Sequence, residues 1–280
     1  MPELLQPFIG HQTRRYAKAV LNPLLGIFRP GNVAMFHVGR VGSTVLVGML
    51  QQHRRIYWAG EVFQREHDRY MEAVASGGYS LPEDPLKVLR TEMREARNRM
   101  FGFETKFLDE HHLKVIGLDL ERYVDTLSEL GFERFVVLKR KNVLRRLISG
   151  AVLRETGQFH IRADQKRQKR RFRLDLHRIP LGARYLDLID AIRMIEEGHE
   201  RLDRLLAGKQ VCELNYEEHI SDDPLVAYRK VMEFMGLEPC KPEILLRKTN
   251  PDPLSDMIEN YDELREMVGK TSYRWMLESS

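Results

Sequence analysis

The chain has 280 residues, with 45 Lys plus Arg against 41 Asp plus Glu, and a net charge of +4 when the histidines are neutral. Hydrophobic residues make up 42% and charged residues 31%, a balance that can bury a sizeable core and excludes a disordered chain. Two cysteines, Cys212 and Cys240, supply neither a disulfide framework nor a zinc quartet, which fits a reducing cytoplasmic setting.

The N-terminus has an early Glu3 and no basic start followed by an apolar block, so no secretory signal is expected. Residues 1–30 read as an extension and 31–280 as one domain, since no Gly/Ser-rich linker divides the chain. Asn32 to Val38 (NVAMFHV), bounded by Pro30-Gly31 and Gly39, reads as a buried strand. A helix is expected over Ser43 to Gln52. The uncharged run Val41 to Gln52 falls well short of the ~20 residues of a membrane-spanning helix, so no transmembrane segment is expected. Further helices are expected over Asp84 to Phe101, Leu120 to Leu130, Asn142 to Glu155, Ala183 to Leu206 and Pro224 to Met235. Strands are expected over Arg134 to Lys139 and Gln210 to Tyr216. This alternation predicts an α/β class, a three-layer α/β/α arrangement with a mostly parallel central sheet and a ligand site beyond the C-terminal strand ends.

The segment MFHVGRVGSTVLVGML has the makings of a phosphate cradle. Gly39 and Gly42 free the turn, Ser43 and Thr44 open a helix whose N-terminus carries unpaired donors, and Arg40 adds a full charge. An ordinary strand-turn-helix with Ser43 as an N-cap is the plainer alternative. A nucleotide kinase or NTPase loop is rejected by spacing, because Gly39 is three residues from Gly42 and no lysine precedes Ser43. The second strand end, Lys139-Arg140-Lys141, runs into a helix at Asn142 and implies a second anion site, with Ser149 two turns along the same face. Residues 139–178 hold 14 basic and 3 acidic residues, a local charge of +11 that leaves −7 on the remainder. Either a compact phosphate-bearing ligand or a polyanion accounts for that, as does a solvated face.

The two junctions together resemble the sulfotransferases that use 3′-phosphoadenosine 5′-phosphosulfate (PAPS). Arg40-Val41-Gly42-Ser43-Thr44 matches the family's 5′-phosphosulfate loop, and Arg140 with Ser149 its 3′-phosphate pair. Leu214 to Pro239 (LNYEEHISDDPLVAYRKVMEFMGLEP) is similar to the family's strand, Tyr-Glu pair and Asp-Pro helix start. The C-terminal segment from Lys248 is similar to the ending of bacterial members related to carbohydrate and glycolipid sulfotransferases. The resemblance implies a P-loop-like sulfotransferase fold, PAPS as co-substrate with 3′-phosphoadenosine 5′-phosphate (PAP) as product, and no divalent metal. It also implies a small-molecule, glycan or glycolipid hydroxyl acceptor and no nucleic acid. Arg40, Val41, Gly42, Ser43, Thr44, Arg140 and Ser149 would hold the donor, with Lys248 of Lys248-Thr249-Asn250 standing in for a C-terminal 3′-phosphate motif. Glu61, in Trp58-Ala59-Gly60-Glu61-Val62-Phe63, corresponds to the family's carboxylate base, and Arg40 and Lys106 would act on the transferred group. Alternatives stay open: Glu61 as a loop glutamate, Lys106 on a helix surface, and His111-His112 as rival base. A non-catalytic binder of nucleic acid or an anionic surface through residues 139–178 is the rival function.

Overall fold

The computed structural model describes residues 26–74, 78–156, 161–162, 171–247 and 252–278. Five strands make one parallel sheet: β1 (Asn32–His37), β2 (Ile56–Glu61), β3 (Met100–Lys106), β4 (Phe132–Lys139) and β5 (Gln210–Asn215). Their order is β2-β3-β1-β4-β5. Strand interiors are buried in unbroken runs, Val33 to His37 in β1 and Phe135 to Leu138 in β4, as a sheet flanked by helices on its faces requires. The main helices are α1 (Ser43–Leu50), α2 (Gln64–Val74), α3 (Lys87–Glu95), α4 (Leu120–Glu129), α5 (Val143–Thr156), α6 (Leu188–Leu205), α7 (Pro224–Phe234) and α8 (Tyr261–Gly269). The expected α/β class with a parallel central sheet is the one observed.

Because β1 lies between β3 and β4, the chain leaves the sheet centre, builds one side, and crosses over to build the other. Ligand clefts of open α/β sheets form at such a reversal, beyond the C-terminal strand ends. Those ends here are His37, Glu61, Lys106, Lys139 and Asn215. Beneath them Phe36 packs edge-on against Phe107 and Tyr123 and stacks on Phe135, with ring centroids 6.1–6.2 Å apart. This aromatic layer fixes the height of the site above the core.

Two strands differ from the sequence-based expectation. The helix expected over Asp84 to Phe101 is confined to α3, and its last residues open β3, so Lys106 ends a strand and is not on a helix surface. Gly102 in the middle of β3 hides the strand signal, yet a Cβ there would stand 2.1 Å from Trp58 Cε3, so the tryptophan of β2 demands glycine. β2 itself, with Ala59-Gly60 near its end, carries no alternating pattern. Similarly, α6 starts later than expected, because Ile179–Leu181 and Arg184–Leu186 form an antiparallel hairpin ahead of it.

Among the described residues, no helix is long and apolar enough to cross a membrane.

Candidate functional site

The loop after β1 is shaped by three residues in the left-handed region: Gly39 (φ 77°), Arg40 (φ 58°) and Gly42 (φ 87°). Only Arg40 carries a Cβ there, which costs roughly 1–2 kcal/mol and is sustained by what holds the loop. Arg146 of α5 does much of that: its Nε donates to Gly39 O at 3.2 Å and its Nη2 donates to Val38 O. Gly42 is the residue preceding α1 and offers no side-chain cap, so the helix N-terminus stays directed at the loop. Side chains of Tyr216 and Ile220 close against Gly42 from behind. Ser43 is buried and Thr44 exposed.

The second junction meets the first directly. Arg40 Nε donates to Ser149 Oγ at 3.1 Å, and Arg140 Nη1 donates to Arg40 O at 3.2 Å. Arg140 stacks over the Tyr216 ring at 4.4 Å. Burial, and then the neighbouring guanidiniums, lower the pKa of Arg40 and push that of Arg146 down to about 10. Burial likewise lowers that of Arg140, while Tyr216 and Glu217 work the other way. Arg140 Nε is buried with no hydrogen-bond partner, 3.9 Å from Glu217 Oε1. Such crowded positive charge is relieved by an anion.

At the start of α5 the backbone is less open than the sequence implies. Glu217 accepts from the amides of Lys141 (3.0 Å) and Asn142 (3.1 Å), and Asn142 Oδ1 caps the helix by accepting from the Arg145 amide at 2.8 Å. Lys139 pairs with Asp203 and Lys141 with Glu218, so of the three basic residues ending β4 it is Arg140 that turns toward the first loop.

Beside the basic loop lies a cluster assembled by β1, β2 and β3. Trp58 pairs with Gly102 but Glu61 pairs with Glu104, so β2 holds one extra residue at Ala59-Gly60, where Gly60 has φ 72°. That bulge puts Glu61 level with Glu104 rather than Thr105 and thereby turns it to the same side of the sheet. Lys106 Nζ sits 2.7 Å from Glu61 Oε2 and donates to Gln64 Oε1 at 2.7 Å. His37 Nε2 is 3.3 Å from Glu104 Oε2 and 3.8 Å from Glu61 Oε1. Burial would raise the pKa of Glu61, but Lys106 and His37 outweigh it and hold the carboxyl below its ordinary value.

His112 is buried and accepts the Lys106 amide at Nδ1 (3.1 Å), so its Nε2 carries hydrogen and faces Gln64 Oε1 at 3.3 Å. In that tautomer it is a donor to the cluster, not a base. Burial pushes the pKa values of both His111 and His112 well below the ordinary histidine value.

Ligand atoms of His37, Glu61 and Glu104 lie within 4.8 Å of one another, a grouping that sequence spacing conceals. His37 Nδ1 accepts the Gly39 amide at 3.0 Å, which makes Nε2 the protonated nitrogen and leaves it no lone pair for a cation. The Lys106 ammonium already occupies the face of Glu61. The arrangement suits an imidazole held between carboxylates better than a metal centre.

Of the residues expected at the site, Arg40, Val41, Gly42, Ser43, Thr44, Arg140 and Ser149 surround one basic loop, while Glu61 and Lys106 form an ion pair in the adjoining cluster. Lys248, and residues 157–160 and 163–170 of the basic stretch 139–178, lie outside the described residues. His37, Glu104, Gln64 and Arg146 do not stand out in the sequence. His37 sits inside an apolar strand pattern, Glu104 in a strand that the sequence does not show, and Arg146 is one of two adjacent arginines that sequence treats alike.

Neither family models nor curated protein sequences match the chain. Among solved structures, the chain is similar to a sulfotransferase from Alicyclobacillus acidocaldarius, with 15% identity and a TM-score of 0.51, covering 89% of this chain and 94% of that one. A sugar kinase from Janibacter sp. HTCC2649, solved without ligand, aligns with 12% identity and a TM-score of 0.40 over 75% of this chain and 96% of that one. The first of these likenesses establishes a shared fold.

Proposed function

We propose that the chain is a PAPS-dependent sulfotransferase that moves a sulfuryl group to a hydroxyl acceptor, a carbohydrate or glycolipid. The observation that supports this most is the joining of the two strand-helix junctions through Arg40, Ser149 and Arg140. Residues expected at opposite ends of one doubly anionic adenosine compound thereby share a single basic surface. The donor set fits such a compound, since Arg140 Nε is a buried donor without a partner beside other buried guanidiniums.

In this reading Arg40, Val41 and the amides of Gly42, Ser43 and Thr44 hold the 5′ end, and Arg140 with Ser149 holds the 3′-phosphate. Lys248 is proposed as a further 3′ contact. The bound donor supplies a sulfuryl group on a phosphate leaving group. Arg40 and the loop amides hold the negative charge that spreads over peripheral oxygens, work done by position and electrostatics. Glu61, kept ionised by Lys106, takes the proton of the acceptor hydroxyl. Lys106 supplies a second positive charge near the transferred group. A cavity of ≈ 420 Å³ bordered by Tyr79, Leu81 and Glu110 meets α2 at Tyr70, and the first residue of that helix, Gln64, touches the cluster. Tyr70 is six residues, about 9 Å, further along that helix. It offers room for the body of an acceptor.

The rival, a binder of nucleic acid or an anionic surface through residues 139–178, draws little from the described part of that stretch. Lys139, Lys141 and Arg173 pair with carboxylates, and Arg145, Arg146 and Arg171 donate to backbone carbonyls. The function is tested by supplying sulfur-labelled PAPS with a panel of glycans and glycolipids. Transfer of label to a hydroxyl product, lost in Arg40→Ala, is expected. Label that stays in the donor with every acceptor, at protein concentrations that bind PAP, contradicts the reading.

A further inference from the structure

The cradle and the carboxylate cluster meet at one side chain. His37 is the last residue of β1, fully buried, and the only polar side chain in that strand after Asn32. Its two ring nitrogens face two different parts of the site. Nδ1 accepts the amide of Gly39, the first left-handed residue of the loop, at 3.0 Å. Nε2 points at Glu104 Oε2 (3.3 Å) and Glu61 Oε1 (3.8 Å). Nε2 and Glu104 Oε2 are both buried with no hydrogen bond completed, so the pair is set near its geometry but not closed.

We infer that His37 is a positioning residue that couples the donor-binding loop to the carboxylate base, as a neutral imidazole protonated at Nε2. The inference rests on the sulfotransferase reading for the roles of the loop and Glu61, but its tautomer is a property of the protein alone. The acceptor function at Nδ1 holds the Gly39 amide inward, which orients the left-handed turn through Arg40. The Nε2–H group directs the positive end of its dipole at Glu104 (3.3 Å) and Glu61 (3.8 Å), which orients the base.

The two functions are separable by amide side chains of different length. In His37→Asn the side-chain oxygen can take the Gly39 amide but nothing reaches Glu61. In His37→Gln the amide nitrogen can reach the carboxylates but the acceptor for Gly39 is displaced. With PAP as the probe, His37→Asn should keep its affinity within about twofold and lose turnover, while His37→Gln should lose PAP affinity by roughly five- to tenfold and keep more of its turnover at saturation. Melting curves of both variants confirm folding. If either variant fails to fold, nitrogen-15 spectra of the wild-type side chain decide the matter at neutral pH: a proton on Nε2 with Nδ1 unprotonated is expected. A proton on Nδ1, or equal effects of both substitutions on PAP affinity and turnover, overturns the inference. Failure of the wild-type protein to bind PAP would instead count against the sulfotransferase reading, leaving the tautomer result standing.

Discussion

Glu61 sits where three opposing effects can be weighed. Burial favours its neutral form, and Lys106 at 2.7 Å with His37 at 3.8 Å favours the charged form and wins. A carboxyl whose folded pKa is lowered stabilises the protein above its unfolded value near 4.5, and that contribution is lost as pH falls through the folded pKa. Wild type should therefore exceed Glu61→Gln in urea midpoint at neutral pH, with the gap closing on acidification below 4.5; a gap that widens there contradicts the sign. In catalysis, Glu61→Gln should keep PAP binding and cut turnover by roughly 10²–10⁴-fold, and unchanged turnover removes Glu61 from the base role. Arg146→Lys should lower PAP affinity about tenfold, because one ammonium cannot reproduce the fork that spans Val38 O and Gly39 O. Arg40 and Ser43 stand out in the sequence because glycines flank them at an expected strand end, whereas Glu61 is singled out only by the resemblance of Trp58 to Phe63 to a family segment. His37 and Glu104 do not stand out, since a polar side chain within a buried strand is invisible to periodicity and acquires meaning only from its neighbours in the sheet.

At the scale of elements, the site depends on details of β2 and β3 that their residues disguise. The extra residue at Ala59-Gly60 sets Glu61 against Glu104, and Gly102 makes room for Trp58. Both features break the alternation by which a strand is read, so the first-junction loop can be located from sequence while the start of the strand bearing Lys106 reads as the end of a helix. Packing at Gly102 leaves no slack: Gly102→Ala is expected to cost about 3 kcal/mol or more, read as a fall in melting temperature. Gly48 in α1 gives the opposite case, with a helical backbone and nothing within 4 Å of where a Cβ would stand. Gly48→Ala should stabilise by about 0.5–1 kcal/mol through the helix alone. Equal effects at the two glycines would show that the contact with Trp58 is not what fixes β3.

Over the whole molecule, the order β2-β3-β1-β4-β5 is what makes distant residues neighbours, since both junctions and the carboxylate cluster emerge at the C-terminal ends of the four consecutive strands β2, β3, β1 and β4. The sequence shows the alternation of strands and helices but not this order, because parallel pairing depends on contacts between segments far apart along the chain. The same arrangement draws Arg140 and Arg146 inward, where they crowd around one loop with Arg40. Oligonucleotide affinity should accordingly be weak, without the steep salt dependence of a protein that neutralises many phosphates. If the loop and the α5 face form one site for a doubly anionic adenosine compound, the affinity of PAP must exceed that of a nucleotide lacking the 3′-phosphate. The most direct measurement is a calorimetric titration of PAP and adenosine 5′-phosphate into wild type and Arg140→Ala. PAP is predicted to bind wild type at least about tenfold more tightly than adenosine 5′-phosphate, a difference of ~1.4 kcal/mol, and to lose that advantage in Arg140→Ala. Equal affinities in wild type, or an advantage that survives the substitution, would contradict the shared site.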